Sequence, residues 1–154
     1  MKRYLLILAV ALLLLTGCGK QEAATLQAIS EGDALDISRS ELSSSIKIYS
    51  FTVDGLQMEV LAAKDEDGTV RTAFNTCQVC NGSPKAYFEE KGDNVVCQNC
   101  GNAFGRKDVG VLSGGCNPYP IFASDREDTE NAVRISYDYL KDNAGLFARW
   151  KNNG

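Results

Sequence analysis

Two Cys-x-x-Cys pairs carry the chemistry of this chain. Cys77-Gln78-Val79-Cys80 and Cys97-Gln98-Asn99-Cys100 are separated by sixteen residues, and a further fifteen separate Cys100 from Cys116 in Gly114-Gly115-Cys116-Asn117-Pro118. Two cysteines with two residues between them turn both thiolates toward one point, and a second pair across a short hairpin completes a tetrahedron of sulfur around a metal. Asn81-Gly82 after the first pair and Gly101 after the second tolerate the positive φ that closes such a turn. The spacing therefore points to a four-cysteine site at Cys77, Cys80, Cys97 and Cys100.

Other uses of paired cysteines fit less well. A thioredoxin-like motif needs one pair at the start of a helix, and neither pair precedes a helical pattern. Two disulfides within the pairs would close loops too small to constrain the unfolded chain. The chain has no histidine, which removes imidazole ligands and every His-based general base and leaves sulfur and carboxylate as the strong metal ligands. Cys116 is surplus to a closed four-ligand site. It reads either as a small buried hydrophobe or, with two glycines before it and Asn-Pro after it, as an alternate ligand, a fifth position used in metal transfer, or a redox partner.

The start of the chain sets the expected compartment. Met1-Lys2-Arg3 is basic, Leu5 to Leu15 is an unbroken apolar run, and Leu15-Thr16-Gly17-Cys18 follows. The run is too short for a bilayer span of about 20 residues but matches the core of a signal peptide. Cys18 resembles the cysteine of a bacterial lipobox, so residues 1–17 are expected to be a lipoprotein signal, 18–33 a lipidated tether, and 34–154 the folded domain. The expected location is the outer face of the cell membrane, held by the N-terminal lipid. The net charge is −4 over 154 residues. Loss of Lys2 and Arg3 with the signal moves it to about −6, a sign that repels phosphate backbones and argues against nucleic-acid binding. Outside the cytoplasm free thiols are at risk of oxidation, so five of them persist best when a metal holds them or when they turn over in redox chemistry.

The elements that must position the cysteines are mostly strands. A frayed helical turn is expected around Ala23 to Ile29, and the folded domain is expected to begin near Ala34. Ile46 to Val53 alternates with a phase slip between Ile48 and Phe51, which predicts a bulge or a strand contacted on both faces. Asp54-Gly55 turns the chain into Leu56, Met58 and Val60, alternating with Gln57 and Glu59 as in a half-buried strand. Asp67-Gly68 leads into Val70, Thr72 and Phe74, so a three-stranded meander runs directly into Cys77. Ala86–Glu89 and Asn94–Val96 flank Lys91-Gly92-Asp93 as a small hairpin between the cysteine pairs. Phe104 and Val109 to Leu112 read as apolar cover. Pro118 and Pro120 fix an extended segment, and Asp125 to Glu130 reads as a solvated loop. Ala132 to Ile135 forms a last strand, and Ser136 caps a closing helix with Tyr137, Leu140, Ala144 and Phe147 on one face. The fold class is mainly β (α+β): a small antiparallel meander with an embedded Cys₄ zinc-ribbon or rubredoxin-like hairpin pair and a C-terminal helix.

At Ala73-Phe74-Asn75-Thr76-Cys77, Cys80, Tyr87, Val96-Cys97, Cys100-Gly101 and Gly114-Gly115-Cys116-Asn117-Pro118 the sequence resembles the FtrD-like family of bacterial membrane-associated proteins. That family is described as iron-sulfur containing and linked to ferrous iron uptake. The resemblance implies that Cys77, Cys80, Cys97, Cys100 and Cys116 serve an iron or iron-sulfur centre, and that a metal permease or a redox protein is the partner. Many relatives carry membrane spans before this domain; here the expected lipid anchor stands in their place. The reading that competes with it is a structural zinc ribbon in a protein-interaction lipoprotein. Zinc has no second oxidation state and would contribute fold energy alone.

Overall fold

The computed structural model describes residues 26–153, so the expected signal peptide and Cys18 lie outside the described residues. The strands are β1 (Gln27–Ile29), β2 (Ala34–Ser38), β3 (Lys47–Val53), β4 (Leu56–Lys64), β5 (Val70–Cys77), β6 (Phe88–Lys91), β7 (Asn94–Cys97), β8 (Ala103–Gly105), β9 (Pro118–Ile121), β10 (Glu127–Asp128) and β11 (Ala132–Ser136), followed by α1 (Tyr137–Asp142). They form a five-stranded sheet in the order β1-β3-β4-β5-β9 and two three-stranded sheets, β10-β11-β2 and β6-β7-β8. All pairings are antiparallel except β1 with β3. The expected mainly β architecture with a meander, an embedded cysteine hairpin and a closing helix is what the chain adopts.

The meander β3-β4-β5 is the frame, and its two faces pack different cores. Met58, Val60 and Ala62 of β4 join Phe51, Val53 and Phe74 in the larger core, which α1 and the segment after it close with Leu140, Phe147 and Trp150. Leu61 of β4 and Ala73 and Cys77 of β5 face the other way, onto Phe88, Val95, Cys97 and Val109. The central strand is thus covered on both sides. The run Val60-Leu61-Ala62-Ala63 carries that message, and the half-buried strand expected from Leu56 to Val60 is corrected by it: Glu59 is only 5% exposed.

Four other expectations change. The segment expected as a helical turn and tether contains β1 in its described part, with Ile29 buried and Gln27 opposite Phe51 of β3, so the folded unit includes residues ahead of Ala34. A three-residue strand has too little periodicity to announce itself, and the pairing is made by the exposed edge of β3. Of the two alternatives expected for β3, a bulge or a strand contacted on both faces, the bulge is absent: the register runs unbroken from Lys47–Ala62 to Val53–Leu56. Ile48 simply faces outward and Tyr49 carries the inward phase. Val109 is buried as expected, but Val111 and Leu112 are exposed rather than cover. Part of the charged stretch at Asp125 to Glu130 is strand, because Glu127 and Asp128 pair with Arg134 and Val133.

Ser136 caps α1 as expected, its hydroxyl accepting the Tyr139 amide at 3.3 Å. The helix is a turn and a half. Asn143 ends it, and Ala144–Phe147 continues as 3₁₀, which still presents Tyr137, Leu140 and Phe147 inward.

Gly110 holds the loop that leads to Cys116 against β5. Its φ is +72, and a Cβ there would lie 2.5 Å from the Thr72 carbonyl oxygen and 2.9 Å from the Thr72 nitrogen. Gly110→Ala is expected to cost roughly 2–4 kcal/mol, the left-handed penalty plus displaced backbone. Gly68→Ala, at φ +85 with open space around it, carries the first part alone. Urea unfolding of both variants checks this, and equal losses would mean that the Gly110 contact relaxes without consequence.

Candidate metal centre

Each cysteine reaches the site by a different local device. Cys77 ends β5 just after a break in its register with β9, between Phe74 and Cys77. The break brings Pro118 opposite Cys77, and Cys116, two residues earlier, therefore lands beside it. From Cys77 the chain enters a tight turn. The Cys77 amide donates to the Ala86 carbonyl at 2.9 Å, Ser83 donates to the Cys80 carbonyl at 3.0 Å, and the Cys80 amide points at the Cys77 sulfur at 3.4 Å. That last contact is the amide-to-sulfur bond of a metal knuckle, which lowers the charge a thiolate presents to its ion. Cys97 ends β7, and the chain returns through Gly101, whose φ of +73 lets its amide reach the Cys97 carbonyl at 2.8 Å.

The third loop is laced to the first two. Gln78 accepts the Gly114 amide at 2.9 Å and donates to the Pro118 carbonyl at 3.2 Å. Asn102 donates to the Cys116 carbonyl at 3.0 Å. Asn117, 1% exposed, donates to the Leu112 carbonyl at 3.0 Å, and its Oδ1 has no hydrogen-bond partner among the described residues.

All five sequence-selected cysteines come together, but not as the expected quartet. The sulfurs of Cys77, Cys80, Cys97 and Cys116 all lie within 4.8 Å of one another. Cys116 Sγ is 3.3 Å from Cys77 Sγ, 3.9 Å from Cys80 Sγ and 2.8 Å from Cys100 Sγ. Cys116 thus takes the inner place the spacing assigned to Cys100. Cys77 and Cys97 are buried, Cys80 and Cys116 half-buried, and Cys100 exposed; all five are free thiols.

The thiols differ in acidity. Burial pushes Cys97 up to about 12. Burial and then the hydrogen bond to Cys100 raise Cys116, and burial raises Cys80. Cys100 is pulled down to about 7, chiefly by the hydrogen bond from Cys116 and next by the Asn102 amide. The stretches that carry the cysteines, residues 76–84, 94–105 and 109–124, hold no Asp, Glu, Lys or Arg. Several thiolates gathered without a cation repel one another, so a bound cation is the natural counter-charge for this cluster.

A family model described as membrane iron-sulfur containing protein FtrD-like matches residues 42–147, a span that includes all five cysteines. The chain belongs to the FtrD-like family. No curated protein and no solved structure matches it. The FtrD-like family is membrane-associated by its description, while no helix among the described residues is long and apolar enough to cross a membrane.

The donor set fits an iron centre by its chemistry, because iron and iron-sulfur groups are held by cysteine thiolates. Its spacing fits a single ion. Four sulfurs at about 2.3 Å from one ion stand about 3.8 Å apart, close to the contacts Cys116 makes with Cys77 and Cys80. A cluster of several irons spreads its thiolates more widely.

Sequence reasoning missed the polar node behind the site. Asn75, two residues before Cys77, donates to Glu59 Oε2 at 2.7 Å and accepts the Phe88 amide at 2.8 Å. Trp150 Nε1 donates to the Asn75 carbonyl at 2.8 Å, and Lys151 Nζ reaches Glu59 Oε1 at 2.9 Å. The Lys151 amide also donates to the Pro84 carbonyl in the first cysteine loop at 2.9 Å. The C-terminal residues, beyond the FtrD-like match, therefore brace the β5 end that carries Cys77. The one signal in the sequence was an Asn placed between Phe74 and Thr76, just ahead of the first cysteine.

Proposed function

We propose that this FtrD-like protein is a lipid-anchored accessory at the outer face of the cell membrane. It binds one iron ion through Cys77, Cys80, Cys97 and Cys116 and serves the redox chemistry of iron transport beside a permease or a redox protein. The observation that carries the reading is the mutual approach of those four sulfurs within 4.8 Å. The membrane and iron-sulfur description of the family supports the metal and the setting. The lipid anchor rests on the Leu15-Thr16-Gly17-Cys18 stretch of the sequence.

Iron held by thiolates supplies a one-electron change of charge at the site. The chain's own part is to hold the ligands and set their environment. The Cys80 amide stabilises negative charge on Cys77 sulfur. Phe88, Val95 and Val109 keep water from the inner side, where Cys77 and Cys97 are buried. Val79, between the first two ligands in sequence, is 66% exposed.

Metal analysis and absorption spectra on the full chain, purified without oxygen, test the reading. About one iron per chain without acid-labile sulfide, with charge-transfer bands that bleach on reduction, is the expected result. Stoichiometric colourless zinc would sink the redox role and leave the structural zinc ribbon in its place.

A further inference from the structure

We propose that Cys100 and Cys116 form a thiol–disulfide pair through which a disulfide-bearing partner drives the bound ion out of the centre. The release of the ion rests on the metal reading above; the pairing of the two sulfurs does not. A four-coordinate ion uses four thiolates, and the fifth thiol stands against them, 2.8 Å from Cys116 Sγ. Cys100 is the exposed member of the five, so a partner's disulfide reaches it without opening the core. Asn102, two residues after Cys100, donates to the Cys116 carbonyl and clasps the two loops together.

The competing pairings are less favourable. Cys97 is buried, and Cys77 is buried with the Cys80 amide aimed at its sulfur. The Cys97–Cys100 pair shares the exposed Cys100 sulfur, but its other member is buried, whereas Cys116 is half-buried.

The step balances as an exchange of two thiols for one disulfide. The Cys100 thiolate attacks one sulfur of the partner's disulfide; that bond breaks, and one partner sulfur leaves as a thiolate that takes a proton from water. Cys116 sulfur then leaves the ion as a thiolate and attacks Cys100 Sγ, which expels the partner's second sulfur as a thiolate that likewise takes a proton from water. Two electrons have passed from Cys100 and Cys116 to the partner's disulfide. The ion, short of a ligand, departs in its original oxidation state.

The test uses the full chain loaded with zinc, which cannot change oxidation state, and oxidised glutathione as the disulfide. Zinc release is followed with a chromogenic indicator, and disulfides are mapped by peptide mass spectrometry. The expected result is one Cys100–Cys116 disulfide formed for each zinc released, reversed by a reducing dithiol. Zinc release from Cys100→Ser is expected to be slower by at least about tenfold. A disulfide mapped within Cys77–Cys80 or Cys97–Cys100, or release from Cys100→Ser at the parent rate, overturns the proposal. A chain that takes up neither zinc nor iron overturns the metal reading and the release step with it. The disulfide map of that metal-free chain then decides the pairing alone.

Discussion

Replacing Cys116 with serine lowers the affinity of the chain for a thiol-seeking ion by about 100-fold or more. Four thiolates together supply on the order of 10–16 kcal/mol in a structural site, so one ligand accounts for roughly 3 kcal/mol, and a serine oxygen recovers little of it. The expectation follows from the inner place that Cys116 holds among Cys77, Cys80 and Cys97. Competition against a chromogenic chelator measures it. An affinity within about threefold of the parent would return the fourth position to Cys100, as the spacing of the two pairs first suggested.

Trp150→Ala is expected to remove about 4 kcal/mol of stability. The indole is 1% exposed and meets Phe147 and Tyr87 edge-on at 5.2 and 6.3 Å between ring centres. Truncating a large buried aromatic costs about 3–5 kcal/mol through lost contacts and the cavity left behind. The Asn75 carbonyl also loses its donor in a buried position. Against a typical total of about 5–15 kcal/mol, that is a large share. Urea unfolding reads the loss directly. A change below about 1 kcal/mol would mean that the C-terminal segment is not part of the cooperative core. Lys151 adds to the same brace, since removal of its ammonium leaves the Glu59 carboxylate with Asn75 and Ser50 but no cation.

The meander was legible because Asp54-Gly55 and Asp67-Gly68 mark its turns and its strands alternate in between. The convergence of the cysteines was legible for a similar reason: their spacing and the turn residues after each pair are local properties. The choice of the inner four was not. It depends on how β9 pairs with β5, and the register break between Phe74 and Cys77 that draws Cys116 inward is a tertiary event with no local mark. β1 escaped notice because a parallel pairing is made by its partner's edge, not by its own three residues. Glu59 looked solvent-facing because alternation reports one covered face, and here a second sheet and the C-terminal residues cover the other.

The indole that closes the core is the chain's single tryptophan, and it is bonded to Asn75, two peptide units from Cys77. The protein's intrinsic fluorescence is consequently a one-fluorophore signal rooted at the base of the cysteine cluster. A bound quenching ion and an unfolding core act on the same emitter, and they are separable by kind: quenching lowers its intensity, while exposure to water moves its wavelength.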